Sequence, residues 1–134
     1  MGDHVFFYGT LMSPFNRPGR QRISPKLSFK GRGCIAAALF DLGIYPAAIP
    51  TDDDSKVWGE LYETIDAASV LAALDEIEGY RPDEPERSLY TRVLTDTTLE
   101  DGQIVKAWTY FYNAPLGRAQ RIASGDYLEH LRQT

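Results

Sequence analysis

Along residues 56–63 apolar and polar positions alternate, with Val57, Gly59 and Leu61 on one face and Trp58, Glu60 and Tyr62 on the other. That period of two predicts a strand. Directly after it the period changes. Val70, Leu71, Leu74 and Ile77 recur three and four apart, the spacing of one helical stripe. Asp66 stands where an N-cap belongs and Gly79 where a left-handed residue closes a helix, so the pattern predicts a helix over Ala67–Glu78.

The remaining elements follow from the same reading. Residues 4–8 form a short aromatic and β-branched run, a buried central strand that Gly9-Thr10 ends. Pro14, Asn16, Pro18 and Gly19 make 13–22 a loop with at most a short helix. Residues 26–41 read as one or two strands with a bulge at Gly31 or Gly33, and 45–49 as a short apolar segment. Residues 89–97 and 103–112 pair as a hairpin across Asp101-Gly102. Residues 113–117 are loop, and Ser124-Gly125-Asp126 leads into a short helix with Tyr127, Leu128 and Leu131. Strands follow strands rather than a βαβ rhythm. The expected class is α+β, a small mixed, mostly antiparallel β-barrel with flanking helices, in a single domain over 1–134.

One carboxylate breaks the pattern. At about 100° per residue, Glu78 lies roughly 40° from Leu74 and 20° from Leu71, on the stripe that should face the core. It also lies in the last helical turn, where the macrodipole disfavours negative charge. Both placements raise a carboxyl pKa and suit a general base or acid near neutral pH. Asp75 and Glu76 point off the stripe and read as solvated acids. Glu78 can alternatively be a side chain that reaches past the helix end and is capped by Arg81 or Arg92.

Composition narrows the function classes. Net charge is −5 and the pI about 5.0, which argues against nucleic acid as a main partner. The single cysteine, Cys34, rules out an internal disulfide or a paired metal site and reads as a small buried hydrophobe. With no signal peptide before the first strand and no membrane-length apolar run, a cytoplasmic protein is expected. His4 and His130 have no third ligand in the pattern, so no metal is expected. No serine triad, phosphate loop or dinucleotide fingerprint is present, and no cofactor is expected. The sixteen aromatics are read as barrel packing, with Trp58 and Trp108 structural. Arg17, Arg20, Arg22, Lys26, Lys30 and Arg32 run without an acidic residue between them. They form either a solvated edge or a positive rim for an anionic substrate.

The turn at 8–11, Tyr8-Gly9-Thr10-Leu11, is the second candidate. A glycine after a buried strand lets backbone N–H groups approach a ligand and cradle a carboxylate or oxyanion, although the same tetrapeptide also fits a plain turn. Tyr90 and Tyr127 can offer hydroxyls to a pocket or serve as core edges.

Taken in order, these segments resemble the γ-glutamylcyclotransferase-like superfamily, in its small AIG2-like branch. The segments are Val5-Phe-Phe-Tyr8-Gly9-Thr10-Leu11-Met12, Gly43-Ile-Tyr45-Pro46-Ala47, Val57-Trp-Gly59-Glu60-Leu61-Tyr62, Leu74-Asp75-Glu-Ile-Glu78-Gly79-Tyr80 and Leu89-Tyr90-Thr-Arg92-Val93. Ala107-Trp108-Thr-Tyr110 and Ser124-Gly125-Asp126-Tyr127 complete the set, which covers nearly the whole chain.

The resemblance implies a barrel with a polar cavity at one end, and release of 5-oxoproline from a γ-glutamyl amine or amino acid. The substrate's own α-amine would attack the γ-carbonyl, with Glu78 as general base and acid. Tyr8, Gly9, Thr10 and Leu11 would hold the γ-glutamyl group, and Tyr90 and Tyr127 would line the cavity. Arg92 would anchor the α-carboxylate, or else pair with Glu78 or Glu60. The segment 81–87 is longer than in the shortest family members and is a candidate lid or selectivity element. A small-molecule substrate and a monomer or weak homodimer are expected, without membrane association. A non-catalytic binding module and a γ-glutamyl amide hydrolase stand as alternatives.

Overall fold

In the computed structural model, which describes residues 2–15 and 17–132, strand β1 (Asp3–Phe7) is buried on both faces. Phe6 stands opposite Leu61, and Val5 opposite Tyr62 on the other face. All four are at most 5% exposed, which is why 4–8 reads as a continuous apolar run rather than an alternating one.

The long strand β2 (Ser28–Asp41) organises the rest. Its first part pairs with β4 (Lys56–Thr64), with a register shift between Phe29 and Gly31 where the glycines predict a bulge. Gly33 and Cys34 pair with β5 (Tyr90–Leu99), and the end of β2 carries β3 (Pro46–Pro50) and β7 (Gln120–Ile122). The hairpin β5–β6 (Ile104–Tyr112) returns to β1, and β1–β6 is the parallel pairing among antiparallel ones. The circuit β2-β4-β1-β6-β5 therefore closes on itself as the expected mixed barrel.

Helix α1 (Pro18–Ile23) realises the short helix allowed for in 13–22. Helix α2 (Ala67–Glu78) has the predicted bounds: Asp66 accepts from the Ser69 N–H at 3.3 Å, and Gly79 closes it at φ +68°. Val70 and Leu74 are fully buried. Helix α3 (Tyr127–Arg132) packs near the C-terminal end of β2, where His130 meets Asp41 at 2.8 Å. The three residues of β7 carry too short a pattern to be read as a strand; only pairing with β2 makes them one. Cys34 is buried as expected, and burial pushes its thiol pKa up.

Asp75 corrects the sequence reading. It is not a solvated acid. Its carboxylate accepts the Tyr110 hydroxyl at 2.5 Å and pairs with Arg92 at 3.6 Å, with only 14% of the side chain exposed. The helical stripe predicted its direction away from Leu74, but the barrel wall at β6 covers that side as well.

Candidate active site

The end of β1, the last turn of α2, the first residue of β5 and Tyr110 of β6 enclose a cavity of about 120 Å³. A buried water needs only ~10–15 Å³ of such space, so a small polar molecule fits. The walls are mixed: Phe6, Phe7, Ile77 and Leu89 supply apolar surface, and the polar groups come from the turn, from Arg17 and from Glu78.

That turn, residues 8–11, is closed by the Met12 N–H donating to the Gly9 carbonyl at 3.0 Å. Gly9 packs on Pro46, another wall residue; a Cβ there would lie 2.8 Å from Pro46 Cγ. The glycine is thus required by a close approach rather than by a positive φ. Behind the turn, buried Arg20 donates from Nε to the Leu11 carbonyl at 3.0 Å and lies over the Tyr62 ring at 4.7 Å. Among the described residues the N–H groups of Thr10 and Leu11 have no hydrogen-bond acceptor. Two free backbone donors at a cavity wall are what an oxyanion or carboxylate cradle needs.

The cavity tyrosines are held by the backbone. Tyr8 donates to the Tyr110 carbonyl at 2.6 Å and accepts from the Ala48 N–H at 3.3 Å; Tyr90 donates to the Pro46 carbonyl at 3.0 Å. Burial, with the Glu78 charge adding to it, pushes both phenols well above the ordinary tyrosine range. They fix the shape of the wall and stay protonated.

Glu78 is the acid of this cavity. It has the last position of α2, and the closure at Gly79 turns the chain away beyond it. Protein atoms crowd its carboxyl while the residue keeps partial access through the cavity, so burial pushes its pKa up to about 7, with Arg17 pulling the other way. Among the described residues its carboxylate makes no hydrogen bond and no salt bridge, so neither Arg81 nor Arg92 caps it. Arg92 pairs with Asp75, a partner outside those the sequence left open, and lies over Tyr80 and Trp108 at 5.5 and 5.1 Å. Glu60 instead accepts from the Ser13 N–H and the Tyr62 hydroxyl.

The structure brings Tyr8, Gly9, Thr10, Leu11, Glu78 and Tyr90 to one cavity. It does not bring Tyr127 there. That side chain is buried against Phe15, with ring centroids 5.7 Å apart, and His130, whose imidazole meets Asp41. None of residues 81–87 lines the cavity; Leu89, just beyond, does. The segment is pinned by the Ser88 hydroxyl, which accepts the Arg81 N–H at 2.7 Å, and by the Asn113 amide, which donates to the Pro85 and Ser88 carbonyls at 3.1 Å. Sequence reasoning missed Tyr110, whose place in the wall depends on strand pairing. It left Arg17 undistinguished within the basic run, with no signal to separate it from its neighbours.

Comparison with known proteins agrees with this architecture. The family model "Gamma-glutamyl cyclotransferase, AIG2-like" matches residues 5–129. A protein of Methanocaldococcus jannaschii named "Putative gamma-glutamylcyclotransferase" is 29% identical over 128 residues, 96% of this chain and 98% of that one. The solution structure of YtfP from Escherichia coli superposes with a TM-score of 0.66 at 30% identity, covering 95% of this chain and 97% of that chain. YkqA from Bacillus subtilis shares the fold with a TM-score of 0.73 at 23% identity; this chain is matched over 99% of its length but spans only 42% of YkqA. With the family model matching residues 5–129, almost the entire length, the chain belongs to the AIG2-like γ-glutamylcyclotransferase family of cyclotransferase-type enzymes.

Proposed function

We propose that this protein releases 5-oxoproline from a γ-glutamyl amine or γ-glutamyl amino acid, with Glu78 moving the proton. The observation that carries the reading is the pairing of a crowded, unpaired carboxyl with two free backbone N–H groups across one small cavity.

The reaction forms a bond between the substrate's α-nitrogen and its γ-carbon and breaks the bond from the γ-carbon to the leaving nitrogen. The attacking amine must be unprotonated and the leaving amine must be protonated. Glu78, with a pKa about 7, is part carboxylate and part acid at neutral pH, so it takes the proton from the first nitrogen and returns it to the second. The Thr10 and Leu11 N–H groups would meet the oxygen that becomes negative in the tetrahedral intermediate. Ring closure within one molecule needs chiefly a bent substrate, which a small, rigid-walled cavity can enforce. The cytoplasm is the proposed site of action; among the described residues no helix is long and apolar enough to cross a membrane.

Product identity tests this reading. The protein is incubated with a panel of γ-glutamyl amines and amino acids and the products are separated. Release of 5-oxoproline supports cyclisation. Free glutamate would mean that Glu78 activates water, and the hydrolase reading would take its place.

A further inference from the structure

The cavity holds one acid, Glu78, and one cation, Arg17. Arg17 sits just before α1, in extended backbone at φ −66° and ψ 143°. Its Nη1 donates to Thr10 Oγ1 at 2.7 Å, so the guanidinium is anchored to the turn that lines the cavity. The other end of this anchor is α1 itself. Gly19 lies so close to α2 that a Cβ there would come within 2.8 Å of Ile77 Cδ1, and Ile77 is a cavity wall residue next to Glu78. The packing of α1 against the last turns of α2 therefore sets Arg17 beside the acid.

Arg17 nevertheless makes no salt bridge among the described residues, and one bond to Thr10 uses one of its five donors. The rest of the guanidinium is open at the cavity mouth. Arg92, the other candidate for an anionic group, is occupied by Asp75 and two aromatic rings. A cavity with one negative and one positive side chain matches a ligand carrying an ammonium and a carboxylate on one carbon, and a carboxylate meets a guanidinium in two parallel hydrogen bonds.

We infer that Arg17 is a specificity-determining residue that binds the α-carboxylate of the γ-glutamyl group, restricting the enzyme to substrates whose glutamyl head is a free amino acid. This rests on the cyclotransferase reading and deepens it. The α-carboxylate and α-amine share one carbon, so a group that holds the first fixes the second against Glu78. The leaving amine lies on the far side of the γ-carbonyl, away from this pair, and Arg17 places no demand on its charge.

The test compares two ring-matched probes. 5-Oxoproline carries the carboxylate; 5-oxoprolinamide has the same ring with a neutral amide. Binding of each is measured by calorimetry for wild type, Arg17→Met and Arg17→Lys. Arg17→Met is expected to weaken 5-oxoproline about tenfold or more and to leave 5-oxoprolinamide within about twofold, with Arg17→Lys between, as fits the loss of a charge-assisted bond. General damage to the cavity would weaken both probes alike and would count against the assignment. Equal binding of 5-oxoproline by wild type and Arg17→Met overturns it, and the cyclotransferase reading survives if wild type still releases 5-oxoproline from the panel. Wild type that neither binds nor releases 5-oxoproline overturns both.

Discussion

Tyr110 donates its hydroxyl to Asp75 across 2.5 Å, one helical turn before Glu78, and so ties the cavity wall to the helix that carries the acid. The same carboxylate meets Arg92 at 3.6 Å, and the Asp75 carbonyl accepts the Tyr80 N–H at 2.9 Å beyond the helix end. Three elements, α2, β5 and β6, therefore converge on one aspartate in the last turns of the helix that carries Glu78.

Asp75→Asn should accordingly destabilise the protein by about 1–3 kcal/mol, because it leaves the largely covered Arg92 guanidinium beside a neutral amide. Urea unfolding checks this. Tyr110→Phe should cost less, about 1 kcal/mol, since Asp75 keeps its arginine. If Asp75→Asn unfolds at the same urea concentration as wild type, the network is decoration and Glu78 is positioned by the apolar stripe alone.

The raised pKa of Glu78 makes stability depend on pH in a defined direction. An unfolded glutamate titrates at its ordinary value of 4.5, and the folded one at about 7. Between those values the folded state holds a proton that the unfolded state has released, so stability is fully present below about 4.5 and falls as pH rises through about 7. Glu78→Gln removes the dependence. Its stability relative to wild type should improve by about 1–2 kcal/mol between pH 5 and pH 8, allowing for solvent that reaches the carboxyl through the cavity. Thermal melts at the two pH values decide. A mutant that becomes relatively weaker at pH 8 would show Glu78 to be a structural ion-pair partner.

The barrel and α2 were legible because their signals are local. Asp66, the stripe from Val70 to Ile77, and Gly79 lie within one segment, and each element of the hairpin 89–112 carries its own alternation. Glu78 was legible for the same reason: a charge on an apolar stripe is visible without knowing what the stripe meets. Asp75 was misread because its partners, Tyr110 and Arg92, come from strands that only closure of the barrel brings near. Tyr127, which the resemblance puts in the cavity, lies elsewhere because its ring packs on Phe15 and His130, contacts that only the fold brings together. Arg17 could not be told from Arg20 or Arg22 by sequence. Which of the three faces the cavity is decided by the rotation of a six-residue helix against Ile77.

Gly125 offers a stability prediction independent of the site. It adopts φ +68°, and a Cβ there would fall 1.7 Å from the Lys56 carbonyl oxygen. Its own carbonyl accepts the Trp58 N–H at 2.8 Å, so the segment before α3 cannot move away without breaking a contact to β4. Gly125→Ala should lose about 2 kcal/mol or more. Unfolding of this variant at the wild-type midpoint would mean that the segment relaxes freely.

The role of Glu78 is tested most directly by turnover. On whichever γ-glutamyl compound wild type cyclises fastest, 5-oxoproline release is followed for wild type and Glu78→Gln at pH 7, with both proteins shown to be folded by their melts. The expected result is a fall in kcat of about 10²- to 10⁴-fold with little change in KM, the signature of a lost proton-transfer group. A folded Glu78→Gln enzyme that turns over at the wild-type rate would contradict the account.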